Sequence, residues 1–529
     1  MSTTTTATAA TTATTPARAA SSGLRRRYSL ETPPVSGDAV HSAANFREVA
    51  PELLSPLSFT LVAGGMEIAF REIAKLTGET VTGPTPEYVS YIAYRPFHVM
   101  SSIDRFLARL PVVERADVWE LLLGGPPPLA GESRERTAKP LEAYYGLRAM
   151  LHARRNGRAA GEASALVAQA EDRLLRARRD GSAIQAALGL DVAFRAAHAS
   201  WALHTRTTTV AAAAAAGLRR LFEQDYDDDT ATDLLRHAAR RGSEAAVASA
   251  SAGRITVELD RLSSYEVADG SDRFRRFRSA TATSAPLGAH GMLTSGAGNG
   301  AGANGNGRAP AVPAGEAVVL PRTTLAGRVA HRWLDALDSI LAERERSKEL
   351  GLRSLHCVRL LLEAGGAELP PEDAAMLGQG ELGRVPRAER DRLVALRAAE
   401  LEEAATMTVA FDLEERGDEL HSLRRPAERF TGSTVGTPLA PGWAEGPAMS
   451  EGTGGPGEII CGERVDGNYV LAVQPAGVVS AFGSLLSHVA IVCRELGIPL
   501  VSGIHVDPDD AHGNILVDGW TGTVARADA

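Results

Sequence analysis

His488 is the residue of this chain best suited to chemistry. It lies in Gly483-Ser484-Leu485-Leu486-Ser487-His488-Val489-Ala490-Ile491-Val492-Cys493-Arg494-Glu495-Leu496-Gly497-Ile498-Pro499. There a small loop bearing Gly483, Ser484 and Ser487 presents an imidazole where an apolar-periodic helix begins. Gly497, with Pro499 beyond it, is the expected C-terminal punctuation of that helix. A histidine at a helix start faces unpaired backbone N–H groups and the positive end of the macrodipole, a setting that welcomes a phosphoryl group on the ring. The small loop side chains let a large donor or acceptor approach closely. The same residues suit a surface histidine that merely sits at a helix cap, and the segment by itself leaves both readings open.

The elements that must hold such a site are mostly helical by pattern. From about residue 40 to 284 apolar residues recur at three and four, as in Ile103, Phe106, Leu107 and Leu110. Phe194–Leu221 reads as one or two Ala-rich helices, with Phe194, His198, Trp201 and Ala202 on one stripe. His198 and His204 could line a substrate cavity, but helix packing already explains them. Arg254–Leu259 alternates like a short strand. The acidic run Asp225, Asp227, Asp228 and Asp229 suits a solvated loop better than a metal site.

Residues 285–315 form a linker rich in Gly, Ala and Asn that cannot bury a core. No strand leads into its Gly-x-Gly spacings and no helix leads out, so it is not a phosphate loop. Helices resume over 324–363, with Val329, Trp333, Leu337, Ile340 and Leu341 on one face, and again over 388–406. Arg424-Arg425-Pro426 then reads as a hinge or as an ordinary connector. The expected division is a disordered tail over 1–39, a helical domain in two parts over 40–284 and 316–425 split by the linker, and a further domain over 434–526.

With 529 residues, 44% of them apolar, the chain can build two or three domains. A net charge of −9 and no long basic face argue against nucleic acid and anionic membrane as partners. No apolar stretch approaches the length of a membrane span. Residues 1–35 are rich in Thr, Ala, Ser and Arg, a composition that could mimic an organellar transit peptide; without an apolar core they are not a secretory signal, and a disordered tail is the preferred reading. Cys357, Cys461 and Cys493 are isolated thiols, which indicates a reducing, cytoplasmic setting with neither disulfides nor zinc. Lys75, Lys139 and Lys348 are the only lysines, and no Gly-x-x-x-x-Gly-Lys-[Ser/Thr] occurs.

Three motifs in order carry a family resemblance. The His488 segment resembles the phosphohistidine (swivelling) domain of the phosphoenolpyruvate-utilising enzymes, whose pattern runs Gly-Gly-x-x-[Ser/Thr/Cys]-His-x-Ala-Ile-Val-Ala-Arg-Glu-x-Gly-Ile-Pro. Gly436-Thr437-Pro438-Leu439-Ala440-Pro441-Gly442-Trp443-Ala444-Glu445-Gly446-Pro447-Ala448 looks like the family's opening strand and turn. Asn514-Ile515-Leu516-Val517-Asp518-Gly519-Trp520-Thr521-Gly522-Thr523-Val524 looks like its closing hairpin.

Two departures stand out. Ser484 replaces the second loop glycine, which narrows the backbone freedom there. After Tyr469-Val470-Leu471-Ala472 the chain runs straight through Val473-Gln474-Pro475-Ala476-Gly477, where the family has a Thr-Asp-Pro segment and a short helix. Further upstream, Asn45-Phe46-Arg47-Glu48-Val49, Leu54-Ser55-Pro56-Leu57-Ser58, Tyr94-Arg95-Pro96-Phe97, Leu107-Ala108-Arg109-Leu110-Pro111 and Glu343-Arg344-Glu345-Arg346-Ser347-Lys348 resemble the central domain of rifampin phosphotransferase-like enzymes.

The resemblance implies a multidomain protein: a mainly α-helical central domain followed by a small β/β/α swivelling phosphohistidine domain. It implies that His488 carries a phosphoryl group, supported by Gly483, Ser484, Ser487, Arg494 and Glu495, and that the helical domain binds a small-molecule acceptor. The family's ATP-grasp portion is not found here, so no cofactor is expected on this chain. ATP and magnesium are expected on a separately encoded ATP-grasp partner. The alternative is a scaffold or regulatory binding protein that kept the fold without turnover, which the missing Thr-Asp-Pro segment favours.

Overall fold

The computed structural model describes residues 24–34, 39–43, 46, 53–79, 81, 86–109, 118–119, 156–222, 325–407, 409–410, 412–423, 427–485, 487–508 and 513–527. Its helices are α1 (Pro56–Leu76), α2 (Met100–Leu107), α3 (Asn156–Asp180), α4 (Ala183–Phe222), α5 (Leu325–Glu363), α6 (Pro371–Ala375), α7 (Arg387–Ala405), α8 (Gly467–Val473) and α9 (His488–Leu496). The 285–315 linker, the strand expected over Arg254–Leu259, the Asp225–Asp229 run and Arg424-Arg425-Pro426 lie outside the described residues.

The central region is helical. Ser55 caps α1, its Oγ accepting the Ser58 N–H at 3.3 Å, and Pro56 supplies a preset φ at the first position. The long helix α4 packs against α1, α3 and α5. Its alanines make this possible: Ala193, Ala197, Ala211, Ala212, Ala215 and Ala216 are buried and leave room for neighbours on several sides. Where α1 crosses α4 the backbones nearly touch. A Cβ on Gly65 would lie 2.7 Å from the His198 carbonyl oxygen, so only glycine fits. Trp201 Cβ would meet the same added atom at 2.7 Å, and the Trp201 ring is seated over Gly351 of α5.

A six-stranded sheet accompanies these helices, which the helical reading of residues 40–284 and 316–425 did not anticipate. It comprises β1 (Leu24–Arg25), β2 (Val40–Ser42), β3 (Val89–Ile92), β4 (Arg95–Val99), β5 (Asp412–Arg416) and β6 (Glu419–Leu423). The order is β1-β6-β5-β2-β4-β3, with every neighbouring pair antiparallel. Every residue of β3 is buried, as are Pro96–Val99 of β4, so the polar/apolar alternation that marks a half-exposed strand is missing. Two of the sheet's pairings, β1 with β6 and β2 with β5, join segments hundreds of positions apart, where no local pattern reaches.

Residues 24–34 belong to this fold and correct the expected 1–39 tail. Beyond β1, the Glu31 carboxylate accepts the Ala93 N–H at 2.8 Å. Ala93 and Tyr94 form the β3–β4 turn with φ of 47° and 60°, a left-handed pair that the hairpin twist favours and side chains resist. The Arg95 guanidinium donates to the Ala93 carbonyl at 2.9 Å, and the Tyr94 hydroxyl donates to Glu400 at 2.8 Å. The turn is held from all sides.

The C-terminal region is β-rich. β7 (Glu428–Arg429) pairs with β14 (Ile504–His505). An eight-stranded sheet contains β8 (Ser433–Val435), β9 (Thr437–Ala440), β10 (Trp443–Ser450), β11 (Ile459–Gly462), β12 (Gly477–Ser480), β13 (Leu500–Ser502), β15 (Asn514–Asp518) and β16 (Thr523–Arg526). The order is β8-β16-β15-β10-β11-β12-β13-β9, and β10 to β13 run parallel. Side-chain alternation builds two cores. Ile459, Cys461, Val479 and Val501 join one with Ile515, Val517 and Val524; Ile460, Val478 and Leu500 face Val489, Ala490, Val492 and Cys493 of α9.

Parallel strands need crossovers, and α8 supplies the one between β11 and β12. This helix, over Gly467–Val473, was not anticipated; it precedes Gln474–Ala476, which runs straight into β12. The expected closing hairpin is β15–β16, paired Ile515 to Arg526 through Asp518 to Thr523.

Candidate functional site

β12 ends at Ser480 and α9 starts at His488, so the intervening loop lies at the carboxyl edge of the parallel strands, where open α/β sheets bind ligands. Ser487 is the N-cap of α9: its φ/ψ are −65° and 151°, and its Oγ accepts the Ala490 N–H at 3.3 Å. Gly497 closes the helix at φ 68°, the left-handed position that glycine adopts without penalty. His488 is thus the first residue of α9, at the end where the helix dipole is positive.

The loop is fixed almost residue by residue. The Ala481 N–H donates to the Gly462 carbonyl at 3.0 Å and the Phe482 N–H to the Glu463 carbonyl at 2.9 Å. Ser480 Oγ donates to the Phe482 carbonyl at 2.5 Å, and Ser487 N–H to the Ser484 carbonyl at 3.0 Å. Such bonds leave the histidine-bearing turn little freedom to rearrange.

Gly483 is needed for space rather than for φ. A Cβ there would sit 3.1 Å from Leu439 Cδ1 and 3.3 Å from both Ser480 Oγ and Ser502 Cβ. Neither Gly483 nor Ser484 has a positive φ, so a serine in place of the second glycine costs the backbone nothing. Ser484 Oγ is buried and makes no hydrogen bond among the described residues.

Arg494 lies one helix length from the loop, 6% exposed. Its Nη1 donates to the Leu439 carbonyl at 3.0 Å and its Nη2 to the Leu485 carbonyl at 2.8 Å. The guanidinium thus clamps the loop to β9 through two main-chain oxygens. Glu495 follows it in the last turn of α9.

Two residues that sequence reasoning passed over belong to the same neighbourhood. Leu485 is 8% exposed, yet it joins the core of the helical region rather than either core of the C-terminal sheet. Its only sequence signal was a large apolar residue among glycine and serines. Glu451 follows β10 at the same strand edge, and its carboxyl is pushed up to about 7. Burial is the main cause; the Asp466 N–H, donating at 2.8 Å, opposes it, and the Asp466 charge adds to it. Nothing in the sequence around Glu451 distinguished it.

His198 and His204 are packing residues. His198 Nε2 meets the Thr60 carbonyl at 3.3 Å, and His204 Nδ1 meets the Arg344 carbonyl at 3.2 Å. Burial pushes both below the ordinary histidine value, His204 to about 4. His41 has the partners of an acyl-transfer relay, with Nδ1 2.9 Å from Ser90 Oγ and Nε2 3.0 Å from Glu415. Arg26 also binds Glu415, and His41, Ser90 and Glu415 are all shut off from water. The arrangement ties β2, β3 and β5 together and offers no substrate access.

Among the described residues no helix is long and apolar enough to cross a membrane. Residues 454–522 match the family model of the PEP-utilising enzyme, mobile domain. The chain is also 30% identical over 151 residues to rifampicin phosphotransferase of Streptomyces sviceus, a match covering 27% of this chain and 17% of that relative's length.

Proposed function

We propose that this chain is a phosphotransferase component in which His488 carries a phosphoryl group to a small-molecule acceptor held by the helical region. The histidine belongs to a C-terminal domain over about 434–526 that swivels between donor and acceptor sites. One observation carries the reading: His488 opens a capped helix at the carboxyl edge of parallel strands, inside the stretch that matches the mobile-domain model. The similarity to a phosphotransferase supports the same chemistry.

A neutral imidazole attacks the donor phosphorus, a P–N bond forms and the donor's leaving group departs. The phosphoramidate that results then gives its phosphoryl group to an acceptor oxygen and restores the ring. Splitting one transfer into two lets a single side chain serve two sites. Such transfers need positioning and charge neutralisation more than covalent help, and the N-terminus of α9 contributes positive potential. The donor is an ATP-grasp protein on a separate chain, which takes the phosphoryl group from ATP with magnesium neutralising the phosphate charge. A cytoplasmic setting fits the three buried free thiols. A scaffold that kept the fold without turnover is the second reading, favoured by the absence of a Thr-Asp-Pro segment from the sequence ahead of β12.

Potassium phosphoramidate tests the carrier role without a partner. Its P–N bond breaks, ammonia leaves and a new P–N bond forms on the imidazole. The expected product is one acid-labile phosphate, located at His488 by mass spectrometry and lost in His488→Ala. Equal labelling of His488→Ala refutes the proposal.

A further inference from the structure

The C-terminal sheet buries its apolar side chains in two cores of its own, one on each face. Leu485 departs from this pattern. It stands in the histidine loop, three residues before His488, and its side chain packs into the cluster formed by residues of the helical region and the six-stranded sheet. The other buried members of that cluster fall between Tyr28 and Leu420.

The loop beneath Leu485 cannot easily yield. Its carbonyl is held by Arg494 Nη2 at 2.8 Å, and the flanking Ser484 carbonyl and Ser487 N–H bond to each other at 3.0 Å. Arg494 is itself a residue of α9 and also grips β9 through the Leu439 carbonyl. Leu485, the start of α9 and the sheet edge therefore move as one body. A side chain fixed to that body and inserted in another core sets where His488 stands relative to the helical region. Withdrawal must return an apolar side chain to water, and that penalty biases the body toward the seated position.

We infer that Leu485 is a docking peg, which seats the His488 loop on the helical region and must be pulled out before the loop can reach a donor. The inference rests on the carrier reading for its purpose, but its geometry stands apart from it. Leu485 is a positioning residue, acting on the reaction only through the placement of His488.

The test uses the full chain with spin labels at Leu188→Cys on α4 and Val435→Cys on β8, which are 50% and 63% exposed. The three native cysteines are buried and need not be removed. Dipolar distance measurements should give one narrow distribution in this background and in Leu485→Met. Leu485→Ala should shift the seated-to-withdrawn ratio by about tenfold to a hundredfold, the worth of burying a leucine side chain. Leu485→Asp should abolish the narrow peak; should that variant fail to fold, the alanine variant decides. A narrow peak unchanged in Leu485→Ala overturns the inference.

Potassium phosphoramidate, small enough to diffuse to a seated loop where a protein donor cannot, should label all of these proteins to the same final extent. Loss of labelling in the background protein itself counts against the carrier reading and leaves the distance result to be judged separately. Unequal labelling among the Leu485 variants overturns the positioning role, because it places the leucine in the chemistry.

Discussion

Replacing Arg494 with methionine keeps an apolar stem in the core and removes the guanidinium. Two buried main-chain oxygens, those of Leu439 and Leu485, then lose the donors that hold them at 3.0 and 2.8 Å. An unsatisfied buried carbonyl costs about 1–3 kcal/mol, so the pair gives roughly 4 kcal/mol. The penalty falls on the docking of the loop against β9 and α9, and it should appear as local opening before global unfolding. Amide hydrogen exchange over residues 480–496 reads this directly. Roughly a thousandfold loss of protection is expected, at about 1.4 kcal/mol per tenfold. A change below about tenfold would refute the clamp. The same variant separates two roles for the arginine: a phosphate-neutralising residue would leave exchange unchanged while lowering phosphoramidate labelling of His488.

Three further outcomes follow from the geometry. Gly483→Val should lower stability by about 2 kcal/mol, because the added atoms meet Leu439, Ser480 and Ser502 at contact distance; thermal melts check it, and an unchanged midpoint argues against the tight loop. His98 is stacked on Phe46 and pushed down to about 4 by burial, while an unfolded histidine titrates near 6.5. Its neutral form is therefore stabilising above pH 6.5, and that contribution of about 2–3 kcal/mol is lost as pH falls toward 4. Urea unfolding between pH 7 and 4 should be less pH-dependent in His98→Phe than in the parent protein.

Glu451 has the opposite sign. Its folded value of about 7 lies above the unfolded one, so the fold is penalised progressively as pH rises from about 4.5 to 7. Glu451→Gln should stabilise the protein at pH 8 by about 1–2 kcal/mol, discounted for partial exposure, and have little effect at pH 4. Equal effects at both pH values would show that the carboxyl does not titrate in this way.

Much of the local structure was legible. The Ser487 cap, His488 start and Gly497 stop span eleven residues and depend on bonds between near neighbours, so their pattern survives in one dimension. Helices expected over 324–363 and 388–406 stand at 325–363 and 387–405 for the same reason. The short helix over Gly467–Val473 was not anticipated, because seven residues are too few to show a helical period in the sequence.

The sheet of β1 to β6 could not be read this way. Val89–Ile92 and Pro96–Val99 are buried without alternation, and strand β2 finds β5 far along the chain, Val40 opposite Glu414. By itself the sequence determined which residues start and stop helices and which histidine carries the family motif, since those depend on spacing along a few turns. Only the tertiary structure decided that Arg494 clamps main-chain oxygens, that Glu451 titrates near neutrality and that Leu485 seats in a core not its own. Burial and satisfaction of polar groups are set by which distant segments meet, and that meeting is a property of the packed chain.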